Sequence, residues 1–77
     1  MSTHGFEDRE KIKKDKAKKA IALAMISRWE EAVAMNRSIV QEFPKDLEAL
    51  NRLGKAQSEL GRNREAKEAF QSALQIS

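Results

Sequence analysis

The chain has 77 residues, of which 35% are charged and 5% are aromatic, so it can form one small domain with a limited core. It contains no cysteine, which excludes disulfides and thiolate–metal sites. The net charge of +3 arises within residues 1–19, which carry seven basic and four acidic residues, whereas residues 20–77 carry eight of each. The basic character therefore belongs to an N-terminal segment and not to the whole domain.

The first predicted element is one long helix over about residues 7–26, after an N-terminus (residues 1–8) that we expect to be flexible. Its first half carries Ile12 as the one large apolar residue among many lysines, which indicates a solvated face. Residues 20–26 are apolar nearly all round, which predicts burial on more than one side. This run is too short to span a bilayer, and no cleavage signal follows it, so we expect no membrane span and a cytoplasmic location.

A second helix is predicted from about residue 29 to residue 42. Ser27 and Glu30 have the spacing of a capping box, in which hydroxyl and carboxylate satisfy free amides at a helix start. Pro44 ends the helix, because the residue before a proline is disfavoured in the α region. The apolar set recurs at helical spacing and comprises Trp29, Ala32, Val33, Met35 or Asn36, Ile39, Val40 and Phe43.

A third helix, over about residues 47–60, should begin at Asp46, a favoured N-cap, and end at Gly61, where the chain needs positive φ. A fourth helix should start at residue 63 or 64 and run to the end. The residues expected to face inward are Leu47, Leu50, Leu53, Gly54 and residues 57–60 in the third helix, and Ala66, Ala69, Phe70, Ala73 and Leu74 in the fourth. Four helices joined by short turns predict an all-α antiparallel array.

The two halves of the chain are similar at a spacing of 34 residues. This spacing pairs Ala22 with Ala56, Arg28 with Arg62, Glu31 with Glu65, Ala32 with Ala66, Ser38 with Ser72 and Gln41 with Gln75. A helix–turn–helix repeated at this period is typical of a solenoid. We therefore divide the chain into a flexible start (1–8), a first repeat with an extended basic helix (9–44) and a second repeat (45–77).

The second copy resembles the tetratricopeptide repeat family, and the first copy resembles it with departures. The matching residues are Leu50, Leu53, Gly54, Gly61, Ala66, Phe70 and Ala73 in the second copy, and Ala20, Leu23, Ser27, Trp29, Ala32 and Pro44 in the first. Lys16 and Lys19 stand where apolar residues are usual, and Asn36 stands where an aromatic residue is usual. The resemblance covers about residues 13–77 and implies a fragment of an α-solenoid, so further repeats or a capping helix are expected beyond Ser77.

The resemblance implies a non-enzymatic scaffold that binds a peptide or helix of a partner protein in a groove lined by the first helix of each repeat. The groove positions are Lys14, Ile21, Met25, Glu48, Asn51, Lys55, Ser58 and Glu59. Some family members clamp a C-terminal carboxylate with lysine and asparagine in the first repeat. The corresponding residues here are Ala17 and Ile21, so that activity is not implied.

Two alternatives to a partner-binding scaffold remain open. The first is self-association as a homodimer or higher oligomer through Phe70, Leu74 and Ile76, because repeat arrays usually need about three repeats for stability. The second is electrostatic contact of residues 9–19 with nucleic acid or a membrane surface. That segment lacks interleaved aromatic residues and a bulky apolar face, so we expect no specific nucleic-acid recognition.

No combination of residues points to catalysis or to a cofactor. His4 is the one histidine, so a histidine-rich metal site cannot form and the serines lack a histidine base. The acids Glu30 and Glu31 suit a helix start, and no glycine-rich phosphate loop is present. We therefore expect no enzymatic activity, metal or cofactor.

Overall fold

The computed structural model describes the backbone of residues 3–76, and the side chains of residue 5 and of residues 8–76. Four helices make up the described part of the chain: α1 (Thr3–Met25), α2 (Trp29–Glu42), α3 (Leu47–Glu59) and α4 (Asn63–Ile76). No strand occurs among the described residues, which confirms the predicted all-α fold. Helix α1 begins four residues before the predicted start at residue 7. The side chain of His4, the one histidine, lies outside the described residues.

Each helix packs against the next one along the chain, and α1 also touches α3. Neighbouring helices run antiparallel, as the contacts between α1 and α2 show: Arg9 near the start of α1 meets Glu42 at the end of α2, with 3.5 Å between Nε and Oε2. The resulting array measures 45 × 29 × 15 Å. Its smallest dimension is little more than one helix diameter, so every helix keeps a solvent-facing side.

The core is built mainly from alanines, which allow the helix backbones to approach closely. Seven of its eleven residues are alanines: Ala20, Ala32, Ala49, Ala56, Ala66, Ala69 and Ala73. Val33, Ile39, Leu50 and Leu53 fill the remaining space, and Trp29 packs against this core. Gly54 marks the tightest approach, because a Cβ added there would lie 2.7 Å from Cε1 of Phe70.

Ser27 ends α1 and does not cap α2. Its φ is +59°, and the amides of Ser27 and Arg28 donate to the carbonyls of Ala24 and Leu23, each at 2.9 Å. These two hydrogen bonds define a Schellman motif. The N-cap of α2 is Arg28, which makes no side-chain capping bond. The predicted capping box is therefore wrong, because Ser27 lies in the left-handed region one residue before the helix cap.

Helix α3 ends in the same motif 34 residues later. Gly61 has a φ of +76°, and the amides of Gly61 and Arg62 donate to the carbonyls of Ser58 and Gln57 at 2.9 Å. The predicted positive φ at Gly61 is confirmed. At the start of α3, Asp46 is also confirmed as the N-cap, because its Oδ1 accepts the amide of Ala49 at 3.0 Å. The repeat spacing of the sequence is thus also the spacing of a backbone motif.

Three expectations about burial are wrong. In α3, Ser58 and Glu59 were expected to face inward with Gln57 and Leu60, but both are exposed. In α4, Ala66, Ala69 and Ala73 are buried as predicted, but Leu74 is 74% exposed and Phe70 is 39% exposed. Among residues 20–26, at the end of α1 and in the turn after it, Ala20 alone is buried, and the exposed side chains include Ile21, Met25 and Ile26. The reason is the flat array: α1 packs chiefly against α2, so its other sides stay in solvent.

Candidate functional site

One stripe of the basic helix α1 is packed against α2. Phe43, the C-cap of α2, lies under two cations, with its ring centroid 5.1 Å from Cζ of Arg9 and 4.8 Å from Nζ of Lys13. Two turns on from Arg9, Lys16 donates to Oγ of Ser38 at 2.6 Å. Each cation–π contact at such a site contributes about 0.5–1 kcal/mol. These cations therefore hold the first half of α1 in place.

The other lysines of α1 face solvent. Lys11, Lys14, Lys18 and Lys19 are exposed, as expected for a solvated face. Sequence reasoning missed the packed stripe, although a signal was present: Arg9, Lys13 and Lys16 recur at helical spacing, and Phe43 stands at the opposite end of the neighbouring helix.

Two predicted partner-binding residues meet in one surface groove between α1 and α3. Lys14 of α1 and Glu48 of α3 both line it, and Ala17 and Leu47 contribute apolar surface. The remaining lining residues are charged: Glu10, Lys13, Asp46 and Arg52. We call this the α1–α3 groove. It carries three bases and three acids in addition to its apolar floor.

The other predicted partner-binding residues are exposed but do not line the α1–α3 groove. They are Ile21, Met25, Asn51, Lys55, Ser58 and Glu59. Lys55 and Glu59 form an ion pair along α3, with 3.0 Å between Nζ and Oε2. The positions 34 residues earlier hold Ile21 and Met25, which are 46% and 80% exposed. This surface is therefore apolar on α1 and charged on α3.

A second groove lies between the start of α3 and the end of α4, and we call it the α3–α4 groove. It is lined by Leu47, Asn51, Phe70, Ala73 and Leu74. Two of the three predicted self-association residues are therefore together in one groove. The third, Ile76, is 39% exposed but is not part of the lining. The lining is apolar except for Asn51.

Two buried polar side chains lie between the helices. Asn36 is 1% exposed; its Nδ2 donates to the carbonyl of Ala32 at 3.0 Å, and its Oδ1 accepts from Nε of Arg52 at 2.9 Å. The asparagine at a usually aromatic position is thus satisfied by an arginine from α3. Gln57 is 3% exposed and its Oε1 has no protein partner, whereas Leu23 fills the equivalent place in the first copy.

No three histidine, cysteine, aspartate or glutamate side chains in the described part of the chain are placed to share a metal ion. No helix within residues 3–76 combines the length and apolarity needed to cross a membrane. Comparison of the chain with family models, curated proteins and solved structures finds no match.

Proposed function

We propose that this chain is a non-enzymatic protein-interaction module of the tetratricopeptide type that binds a peptide or helix of a cytoplasmic partner along α1 and α3. The observation that carries the proposal is the α1–α3 groove, in which Lys14 and Glu48 come together from two helices that are far apart in sequence. Binding surfaces of this kind arise where paired helices are stacked at a regular spacing.

The repeated construction of the two halves supports the assignment to this type. The Schellman motifs at Ser27 and Gly61 are 34 residues apart. Gly54 in the second copy admits the ring of Phe70, and the equivalent residues of the first copy, Ala20 and Asn36, are both buried. A small buried residue therefore occupies the same place, in the first helix of each repeat.

The chemistry of the surface indicates the class of ligand. Charges of both signs flank an apolar floor in the α1–α3 groove, and Ile21 and Met25 expose apolar surface farther along α1. An amphipathic helix or extended segment with charges of both signs matches such a surface. A polyanion matches it poorly, because Glu10, Asp46 and Glu48 would repel phosphate groups.

The test is selection of peptide ligands from a displayed library on the intact chain, followed by measurement of their affinity for two variants. The first variant combines Lys14→Ala, Ile21→Ser and Glu48→Ala, three exposed positions on α1 and α3, of which Lys14 and Glu48 line the α1–α3 groove. We expect it to weaken the selected peptides at least about tenfold, because it removes the side chains that a ligand along these helices would contact.

The matched control changes three exposed residues of α2 and α4: Gln41→Ala, Arg64→Ala and Glu68→Ala. It should bind the same peptides as tightly as the unchanged chain. Equal binding by all three proteins, with helicity preserved, would place the ligand elsewhere and contradict the proposal.

A second candidate function, self-association, is favoured by the α3–α4 groove. Phe70 and Leu74 expose apolar surface there. Burial of such surface against another chain is favourable by roughly 25 cal/mol per Å².

A further inference from the structure

The outer face of α4 repeats a face that is covered elsewhere in the fold. On α2, Asn36 and Ile39 are both 1% exposed, and α3 reaches this face through the hydrogen bond from Arg52 to Asn36. Thirty-four residues later, Ala73 is also buried, but Phe70 is 39% exposed and lines the open α3–α4 groove with Leu74. None of the described helices covers that groove, so Phe70 stays accessible on α4, whereas its counterpart Asn36 is buried on α2.

The opposite edge of the array is built differently. Helix α3 carries Leu47, Leu50 and Leu53, and the positions 34 residues earlier on α1 hold Lys13, Lys16 and Lys19. Leu50 and Leu53 are 4% and 7% exposed, whereas Lys19 is exposed. To cover the outer face of α4 as α3 covers α2, a helix would need leucines at these three positions. Helix α1 carries lysines there instead.

This asymmetry restricts how two copies can meet. Stacking of α1 from one copy on α4 of another would bring the lysines of α1 against apolar surface, which is costly without partners for the charges. Contact between two α1 helices would bring together two segments of net charge +3. Helices α3 and α4 each carry two bases and two acids, so two copies meeting through this end do not repel each other.

We propose that the α3–α4 groove is the docking site for a second copy of this chain, with the two copies related by a two-fold axis. This proposal rests on the second candidate function, self-association, and adds which surface the two copies use and how they are related. Leu74, which is 74% exposed and lines the groove, lies against the partner's Phe70, and the reverse contact forms by symmetry. Assembly stops at two copies, because the contact uses the same surface of both chains and the α1 edge takes no further copy.

The first test is molar mass by light scattering from about 1 μM to about 1 mM, with helicity measured in parallel. We expect the mass to approach twice that of the chain and to rise no further. Leu74→Lys should raise the dimer dissociation constant at least about tenfold with helicity retained, because it places an ammonium group in the interface.

The control is Met25→Lys, which makes the same kind of change at an exposed apolar residue of α1. It should leave the dimer intact. A monomer at every concentration would overturn self-association itself. Growth beyond two copies, a dimer that survives Leu74→Lys, or one that Met25→Lys disrupts would overturn the geometry while leaving self-association standing.

A second measurement tests the two-fold axis without altering the apolar contact. The chain has no cysteine, so a single one introduced by Gln71→Cys on exposed α4 can form a disulfide only between copies. Two α4 helices packed about a two-fold axis bring like positions near each other, so this variant should cross-link faster than Lys11→Cys on α1. Equal rates for both variants would contradict the proposed arrangement.

Discussion

Ser27 is the one residue other than glycine with a positive φ in the described chain, and it does the work that Gly61 does in the second repeat. A side chain in the left-handed region is disfavoured by about 1–2 kcal/mol, and glycine avoids this strain but loses more chain entropy on folding. The turn after α1 is therefore strained where the turn after α3 is relaxed, although both make the same two hydrogen bonds.

We predict that Ser27→Gly raises the free energy of unfolding by about 0.5–1 kcal/mol, because it removes the strain and keeps the Schellman bonds. Urea unfolding followed by helicity measures this change. The reverse substitution, Gly61→Ser, should lower the free energy of unfolding by a similar amount. Ser58→Gly, at an exposed position inside α3, controls for the general effect of glycine and should destabilise the chain. A lower free energy of unfolding in Ser27→Gly would contradict the conclusion that the backbone at Ser27 is strained.

At the scale of helices, the first half of α1 depends on very few contacts. Arg9 and Lys13 lie over the ring of Phe43, and Arg9 also pairs with Glu42. The large apolar residue in this half, Ile12, is 47% exposed and adds little burial. The first half of α1 is therefore held on α2 mainly by its contacts with one aromatic ring, that of Phe43.

We predict that Phe43→Ala releases the first half of α1 while the other helices stay folded. Amide hydrogen exchange of about residues 8–14 should accelerate at least about tenfold, because local opening loses the ring that holds both cations. Amides of α3 and α4 should exchange at unchanged rates. Phe43→Leu keeps an apolar side chain but removes the π face, and we expect an intermediate effect. Unchanged exchange in Phe43→Ala would show that other contacts hold this segment.

At the scale of the whole molecule, the two edges of the array differ in kind. The α1 edge carries Lys13 and Lys16, which are half-buried against α2, and the exposed Lys19, whereas the α4 edge presents the apolar α3–α4 groove. The proposed closed dimer depends on this difference, and the lysines of α1 can be removed by substitution.

We predict that Lys13→Leu, Lys16→Leu and Lys19→Leu together produce species larger than a dimer. The variant gives α1 the leucine spacing of α3, so that α1 of one copy can cover α4 of the next in an open, head-to-tail array. Light scattering of the variant and of a control with Lys11→Leu, Lys14→Leu and Lys18→Leu measures the outcome. The control makes the same number of leucines on the solvent side of α1. Similar assembly of both variants would indicate unspecific association.

Much of this fold could be predicted from the sequence, because helix ends are set by local signals. Pro44, Asp46 and Gly61 placed the limits of α2, α3 and α4 within a residue or two. The predicted capping box at Ser27 was wrong, because serine is far commoner at helix N-caps than at positions of positive φ. The exposure of Leu74 could not be predicted, since whether a helix face is buried depends on which neighbour covers it. Lys14 and Glu48 were predicted from the family resemblance, and both line the α1–α3 groove.

The pairing of each helix with its neighbour in sequence has a kinetic consequence. Contacts formed between adjacent helices close short loops, and chains dominated by such contacts fold within about microseconds to milliseconds. Association of two chains at micromolar concentration is slower than this for ordinary protein encounters. A newly made chain should therefore complete its four helices before it meets a second copy, and the rate at which any dimer appears should scale with concentration.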